Sequence, residues 1–301
     1  MPHPLPTGRH VPGRAPVVRR LGALLLLAVP FGPSSLGAQE PGGAPGATPP
    51  ADPVPAHDTW TVASRALGET RTVHVHVPAG YQASRSRRYP VLYMPDGGLD
   101  EDFPHVVRTV DSLVARGAIR PVLVVGVPNT ERRRDLTGPT RVARDSAIAP
   151  RVGGSAAFRR FLAEELVPAV GARYRATGER ALVGESLAGL FVVETFLTAP
   201  ASFTHYVALD PSVWWNGGAL VDSAGAWRPA GRAPGRPDTV PRTLYLASSR
   251  DDVDAGTEHV AARLRATPRP GLTVIYTPRP DLTHATIYRA AGPAALARVL
   301  R

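Results

Sequence analysis

From residue 59 onward, the hydrophobic and polar positions divide the chain into short β-rich runs separated by helical patterns. Thr72-Val73-His74-Val75-His76-Val77 alternates polar and apolar residues, the signature of a strand with one wet face, and Pro78 ends it. Val91-Leu92-Tyr93-Met94 and Val122-Leu123-Val124-Val125-Gly126-Val127 are almost continuously apolar, as strands covered on both faces are. Ser155 is suited to cap a helix, and after it Phe158, Phe161, Leu162, Leu166, Val167 and Val170 recur at helical spacing. A strand at 181–183 and a helix over 187–197 come next, then strands at 206–209, 243–247 and 272–276. Helical patterns follow the last two, at 254–266 and 286–300. Strands buried on both faces and followed by helices predict an α/β fold, a mostly parallel central sheet with helices on both faces. Residues 217–241 are rich in Gly and Pro with little periodicity, and predict an excursion over one sheet edge.

The N-terminus follows other rules. Arg14, Arg19 and Arg20 precede the apolar stretch Leu21 to Phe31, and Leu36-Gly37-Ala38 offers a small-residue cleavage site before Gln39. Residues 1–38 are therefore expected to be an export signal. The apolar run is shorter than the ~20 residues a bilayer span needs, so no stable membrane span is expected after cleavage. Arg19-Arg20 hints at twin-arginine export, without the remainder of that signal. Residues 39–56 form a Pro/Gly-rich linker, expected to be extended and mobile, and 57–301 the folded domain. The destination this predicts is the periplasm or the medium.

Composition narrows the chemistry. The chain is 43% hydrophobic, enough for a substantial core, and has no cysteine, which excludes disulfides, thiolate metal sites and a cysteine nucleophile. The formal charge is +10, and residues 1–38 hold four arginines and no acid, so the remainder carries 10 − 4 = +6. The basic residues are all arginine and scattered, apart from Arg132-Arg133-Arg134, with no aromatic stacking pattern; no nucleic-acid partner is expected. His74 and His76 share a strand face, but no further ligands stand at metal-site spacing, so a polar sheet face is expected and no metal. No phosphate-binding loop or nucleotide motif is present, and no cofactor is implied.

The segment that carries chemistry is Leu182-Val183-Gly184-Glu185-Ser186-Leu187-Ala188-Gly189-Leu190. A strand, a turn of small residues and a helix are the setting of a nucleophile elbow, which lifts a serine hydroxyl above the sheet. Small residues are required two before and two after the serine, and Gly184 and Ala188 stand there. Ser186 is thus the expected nucleophile of an α/β-hydrolase fold, and it needs a base. In the hydrolase order an acid and then a histidine follow, each just after a strand. His284 follows strand 272–276 and precedes the last helix, whereas His205 opens a strand and His259 falls within a helical pattern. His284 is the expected general base. Strand 243–247 ends in Ser248-Ser249-Arg250-Asp251-Asp252-Val253-Asp254; Asp251, the first carboxylate, is the expected acid, with Asp252 second and Asp254 placed to cap a helix. For the oxyanion, the backbone N–H of Leu187 and that of Gly98, in Pro95-Asp96-Gly97-Gly98, are the expected donors.

Five strings taken together resemble the esterase family that includes esterase D, the enterochelin (ferric siderophore) esterases and the mycolyltransferases. They are Tyr89 to Gly97, Val127-Pro128-Asn129-Thr130 with Arg134-Asp135-Leu136-Thr137, Gly184 to Phe191, Asp210-Pro211-Ser212-Val213-Trp214-Trp215, and Thr283-His284-Ala285-Thr286. The resemblance covers about residues 60–300 and is closest to a bacterial branch of α/β-superfamily hydrolases. It implies Ser186 and His284 as the catalytic pair and an acid after strand 243–247, where residue type varies and some members work with a Ser–His dyad. It also implies that Asn129, Arg134, Trp214 and Trp215 lie near the substrate cleft. Packing and a loop salt bridge are the structural readings of the same residues.

The function expected is a secreted serine esterase that cleaves a small-molecule carboxylic ester through an acyl-enzyme. A siderophore-lactone esterase or an acyltransferase would use the same machinery. A hydrolase-fold binding protein without turnover is the alternative from another class; an intact Ser186 and His284 argue against it.

Overall fold

In a computed structural model, residues 52–227, 240–266 and 268–301 are described. The expected export signal and most of the linker lie outside them. In chain order the elements are β1 (Asp58–Ser64), β2 (Glu69–His76), β3 (Tyr89–Met94), α1 (Phe103–Ala115), β4 (Leu123–Gly126), α2 (Arg132–Leu136), α3 (Ala143–Ser146) and α4 (Ser155–Arg160). There follow α5 (Val167–Arg173), β5 (Ala176–Glu185), α6 (Ser186–Thr198), β6 (His205–Leu209), α7 (Trp215–Ala226), β7 (Arg242–Ser249), α8 (Gly256–Arg265), β8 (Leu272–Arg279) and α9 (His284–Val299).

The strands form one sheet in the order β1-β2-β4-β3-β5-β6-β7-β8. β2 pairs antiparallel with β1 and with β4, and the pairs from β4 through β8 are parallel. This is the α/β-hydrolase arrangement that the sequence predicts. Strand periodicity explains the unbroken apolar runs. Along β3, Val91 and Tyr93 join one core layer, whereas Leu92 and Met94 join the other. β5 divides in the same way, with Leu182 on the first side and Ala181 and Val183 on the second. The first layer is closed by α4 through α8, and the second by α1 and α9. Each fully buried leucine or valine contributes ~1.5–3 kcal/mol, so both faces hold the strand ends rigidly.

Local departures have local causes. Ser155 does not cap its helix. Gly154 is the N-cap, and the Ser155 hydroxyl is buried with no hydrogen-bond partner among the described residues. A π-helical turn, Phe161–Leu166, joins α4 to α5, and Pro168 sits in the first turn of α5, where a missing N–H costs nothing. The predicted excursion at 217–241 begins as a helix, α7. Its entry, Asn216-Gly217-Gly218, has left-handed backbone angles, which is why the sequence there resembles a loop; residues 228–239 lie outside the described part. The last residues of the linker are held rather than free. Asp52 pairs with Arg108 and, at 2.6 Å, with Arg289, and His76 Nδ1 donates to the Ala56 carbonyl at 2.8 Å. His76 Nε2 also lies 3.0 Å from Asp111, and His74 Nδ1 contacts the Thr59 hydroxyl at 2.9 Å. Both imidazoles serve the sheet edge.

Candidate active site

The elbow forms because β5 runs extended to Glu185 and the chain must then reverse into α6. Ser186 takes φ of 58°, in the left-handed region where a side chain is strained. Neighbouring atoms press on the turn. A Cβ on Gly184 would lie 2.5 Å from the Ala188 carbonyl carbon and 2.7 Å from the Ala188 Cβ. Glycine at 184 and nothing larger than alanine at 188 are therefore required. One residue on, a Cβ at Gly189 would fall 3.0 Å from Pro211 Cα, so α6 lies directly against the loop that leaves β6.

Three side chains meet above the sheet. His284 is the first residue of α9, fixed by a capping box in which Thr283 and Thr286 bond reciprocally. Its Nε2 lies 3.0 Å from Ser186 Oγ, and its Nδ1 2.7 Å from Asp210 Oδ2. A carboxylate only accepts, so Nδ1 carries the hydrogen, and in the neutral ring Nε2 has a lone pair for the serine. Ser186 and His284 thus stand as the sequence predicts. The third partner does not.

Asp251 was the expected acid, but its carboxylate accepts the backbone N–H of His284 at 2.8 Å, and the ring N–H goes to Asp210. Asp252 is no substitute: it is held by the first turn of α8, accepting from the Thr257 amide at 3.1 Å and hydroxyl at 2.9 Å. Burial pushes its carboxyl up to about 6. Asp210 directly follows β6, one strand earlier than the hydrolase order suggests, with φ of 46° and its amide donating to Ala247 at 2.8 Å. Its Oδ1 accepts the Ser249 amide and its Oδ2 the Ser249 hydroxyl, both at 2.7 Å. Burial alone would raise its pKa. The donors from His284 and Ser249 more than offset this and hold it below the usual carboxylate range. The sequence did carry a signal for Asp210, a carboxylate directly after a buried strand in the string Asp210-Pro211-Ser212. Asp251, four residues past the predicted strand 243–247, was the weaker placement.

Of the oxyanion donors, Leu187 stands where expected, in the first turn of α6, where backbone N–H groups lack intrahelical acceptors. Gly98 does not: its amide donates to Glu101 Oε2 at 2.7 Å and closes its own loop. Ser212, whose amide donates to the Ser186 carbonyl at 3.0 Å, also brings its hydroxyl to 3.5 Å from Ser186 Oγ.

The expected substrate-cleft residues divide. Trp215 is buried, with its indole N–H on the Gly138 carbonyl at 2.8 Å, and serves packing; Trp214 is half-exposed. Arg134 is spent in a network with Glu69, Glu131 and Asp135, so the loop salt bridge is the reading that fits it. Asn129 gives its amide to Asp96 at 2.6 Å and Glu101 at 2.8 Å. The arginine that faces the acidic side of the elbow is Arg132, which binds Asp96 through two nitrogens at 2.7 and 2.8 Å. Periodicity could not distinguish it from its neighbours in Arg132-Arg133-Arg134.

Glu185, directly before the nucleophile, was not singled out by sequence. Its carboxylate is 3.3 Å from His284 Nε2, the nitrogen that also faces Ser186. Burial raises it to about 7, against the lowering influence of His284 and Arg132 and with help from Asp102 and Asp96.

Known proteins share parts of this sequence and this fold. Residues 64–244 match the model of a family described as "Putative esterase". The ferri-bacillibactin esterase BesA of Bacillus subtilis is 30% identical over 185 residues, 57% of this chain and 63% of that one. A siderophore triacetylfusarinine C esterase of Aspergillus fumigatus is 32% identical over 175 residues, 53% of this chain and 57% of its own. The chain thus spans about three fifths of the length of these curated relatives. An IroE-like serine hydrolase from Shewanella oneidensis shares the fold, with TM-score 0.70 and 24% identity over 81% of this chain and 80% of that one. The siderophore hydrolase EstA of Aspergillus nidulans does so with TM-score 0.67 and 20% identity over 81% and 95%.

Proposed function

The chain belongs to the esterase family whose model spans residues 64–244, and from that premise we propose that it is a serine carboxylic ester hydrolase working through an acyl-enzyme. The observation that carries this reading is the unbroken relay Ser186–His284–Asp210, at 3.0 and 2.7 Å, on the strand ends of one rigid sheet. Nε2 takes the Ser186 proton as Oγ attacks the ester carbonyl. Asp210 holds the tautomer and stabilises the imidazolium. The Leu187 amide and the N-terminal end of α6 face the oxyanion, a donor worth ~3 kcal/mol in the transition state. The imidazolium then protonates the departing alcohol, and water repeats the cycle on the acyl-serine. A retired binding protein has no chemical need for this alignment, or for the strain at Ser186.

The relatives' printed activities support a siderophore ester as the substrate, with the same relay opening it. The export signal read in the sequence of residues 1–38 supports a destination outside the cytoplasm. Purified protein should cleave short-chain p-nitrophenyl esters and take a fluorophosphonate at Ser186, with labelling lost in Ser186→Ala. Folded wild type that resists labelling and cleaves no ester would end the serine-hydrolase reading.

A further inference from the structure

The relay leaves Glu185 unassigned. It stands between Gly184 and the nucleophile, in a turn whose tight contacts fall on Gly184 and Ala188. The side chain is instead a carboxylate, largely buried, with Oε1 3.3 Å from His284 Nε2, where Ser186 Oγ sits at 3.0 Å. Two groups therefore lie within reach of one nitrogen, Ser186 as a hydrogen-bond partner and Glu185 as an ion-pair partner. Resting on the serine-hydrolase reading, we propose that Glu185 is a second proton-holding partner of the base, sharing one proton with His284, so that Ser186 is activated only once the pair has released it.

The argument is one of charge and direction. With a proton on the pair, either Nε2–H points at the Glu185 carboxylate or the carboxyl O–H points at Nε2. In both arrangements the nitrogen has no lone pair for the serine hydroxyl. Loss of that proton leaves an ionised Glu185 beside a neutral imidazole, and the lone pair turns to Ser186. The proton only moves between Oε1 and Nε2 or leaves to solvent; no other bond changes. The surroundings set how tightly it is held. From α9, His284 and Tyr288 face Glu185; from α2, Arg132; and from the loop after β3, Asp96 and Asp102. Asp210 and Asp251 reach the same histidine at its Nδ1 and its backbone. Arg132 is itself neutralised by Asp96, so burial keeps the upper hand, and Glu185 lies at about 7. Two groups that close titrate as a pair rather than singly. A negative charge against Nε2 stabilises the imidazolium, so its removal must lower the pH at which the base becomes free.

The test is the pH profile of Glu185→Gln and Glu185→Ala, read as kcat/KM on a p-nitrophenyl ester and as the fluorophosphonate labelling rate. The acid-limb midpoint should fall by about one pH unit in both variants. A two-dimensional NMR titration of the His284 ring in a Ser186→Ala background, with and without Glu185→Gln, gives the same shift without turnover. Midpoints that stay within 0.2 units, in rate and in NMR, overturn the proposal, even if the variants are slower. Wild type that is never labelled would end the serine reading instead, whereas the NMR shift would still report the shared proton.

Discussion

The loops leaving β6 and β7 each offer His284 a carboxylate, and the two carboxylates have opposite occupations. Asp210, at the end of β6, is buried with three donors on its two oxygens, one of them the imidazole. Asp251, two residues past β7, is exposed and holds the His284 backbone N–H. What separates them is depth. An acid that must stabilise an imidazolium needs a low-dielectric setting and fixed donors, so that its charge is neither screened nor free to wander. At the strand end the sheet supplies both. Two residues further on, water competes for the charge. The β7 loop still takes part in the relay through Ser249, which gives amide and hydroxyl to Asp210 and also accepts the Asp251 amide at 3.0 Å.

The comparison is broken most severely by Asp210→Asn. The amide cannot accept the Nδ1 hydrogen while keeping its bonds from Ser249, so the wrong tautomer is favoured and Nε2 no longer faces Ser186 with a lone pair. A fall in kcat of about 10³–10⁴-fold is expected on the p-nitrophenyl assay, with an unchanged circular dichroism spectrum. A fall below tenfold would return the acid's role to the β7 loop.

Ser249→Ala sharpens the same contrast. It removes the hydroxyl from Asp210 Oδ2 and frees the Asp251 amide, but leaves the Ser249 backbone donor in place. One hydrogen bond to a charged group lost, at ~1.5 kcal/mol, predicts a fall in kcat of about tenfold. The sign for pH follows from Asp210, whose folded pKa lies below the ordinary value. Its contribution to stability is present above the unfolded pKa and is lost as pH falls through the folded one. Weaker donors raise that folded value, so Ser249→Ala should unfold at higher pH in an acid titration followed by tryptophan fluorescence.

The fold was legible because its signals are local. Short unbroken apolar runs rich in β-branched residues fit strands covered on both sides, and the β5–turn–α6 string demands small residues at 184 and 188. Ser186 and His284 were legible for the same reason, each standing at a junction between a strand and a helix. The acid was not, because chain order cannot say which of two neighbouring strand ends dips beneath the imidazole. That depends on the register between β6 and β7, in which Leu209 faces Ala247 and Asp210 comes to lie against Ser249. The second oxyanion donor failed on a different ground. Gly98 has the right backbone freedom, but a glutamate three residues on captures its amide, and no periodicity reports a side chain folding back on its own loop. The arginine string hid its division of labour likewise. Arg134 is bound by three carboxylates and Arg132 by one, a difference set by where Glu69 and Asp96 lie in space.

The smallest effect belongs to Asp251, and it is the one that tests the comparison from its other side. If its work is to hold the first amide of α9, an acceptor of the same shape should serve as well as a charge. Asp251→Asn keeps a carbonyl oxygen in place, and kcat should stay within about threefold of wild type. Asp251→Ala leaves the His284 N–H to solvent, losing a bond of ~1 kcal/mol at an exposed helix end. The expected cost is a Tm lower by about 2–4 °C in differential scanning calorimetry, with a fall in kcat of less than tenfold as the histidine loses one of its anchors. The pair of substitutions separates the roles by sign. A catalytic acid is ruined by Asn and Ala alike, whereas a backbone anchor tolerates the first and suffers from the second. Equal and large losses in both would mean that the exposed carboxylate reaches the imidazole during turnover, and that depth does not decide between the two loops.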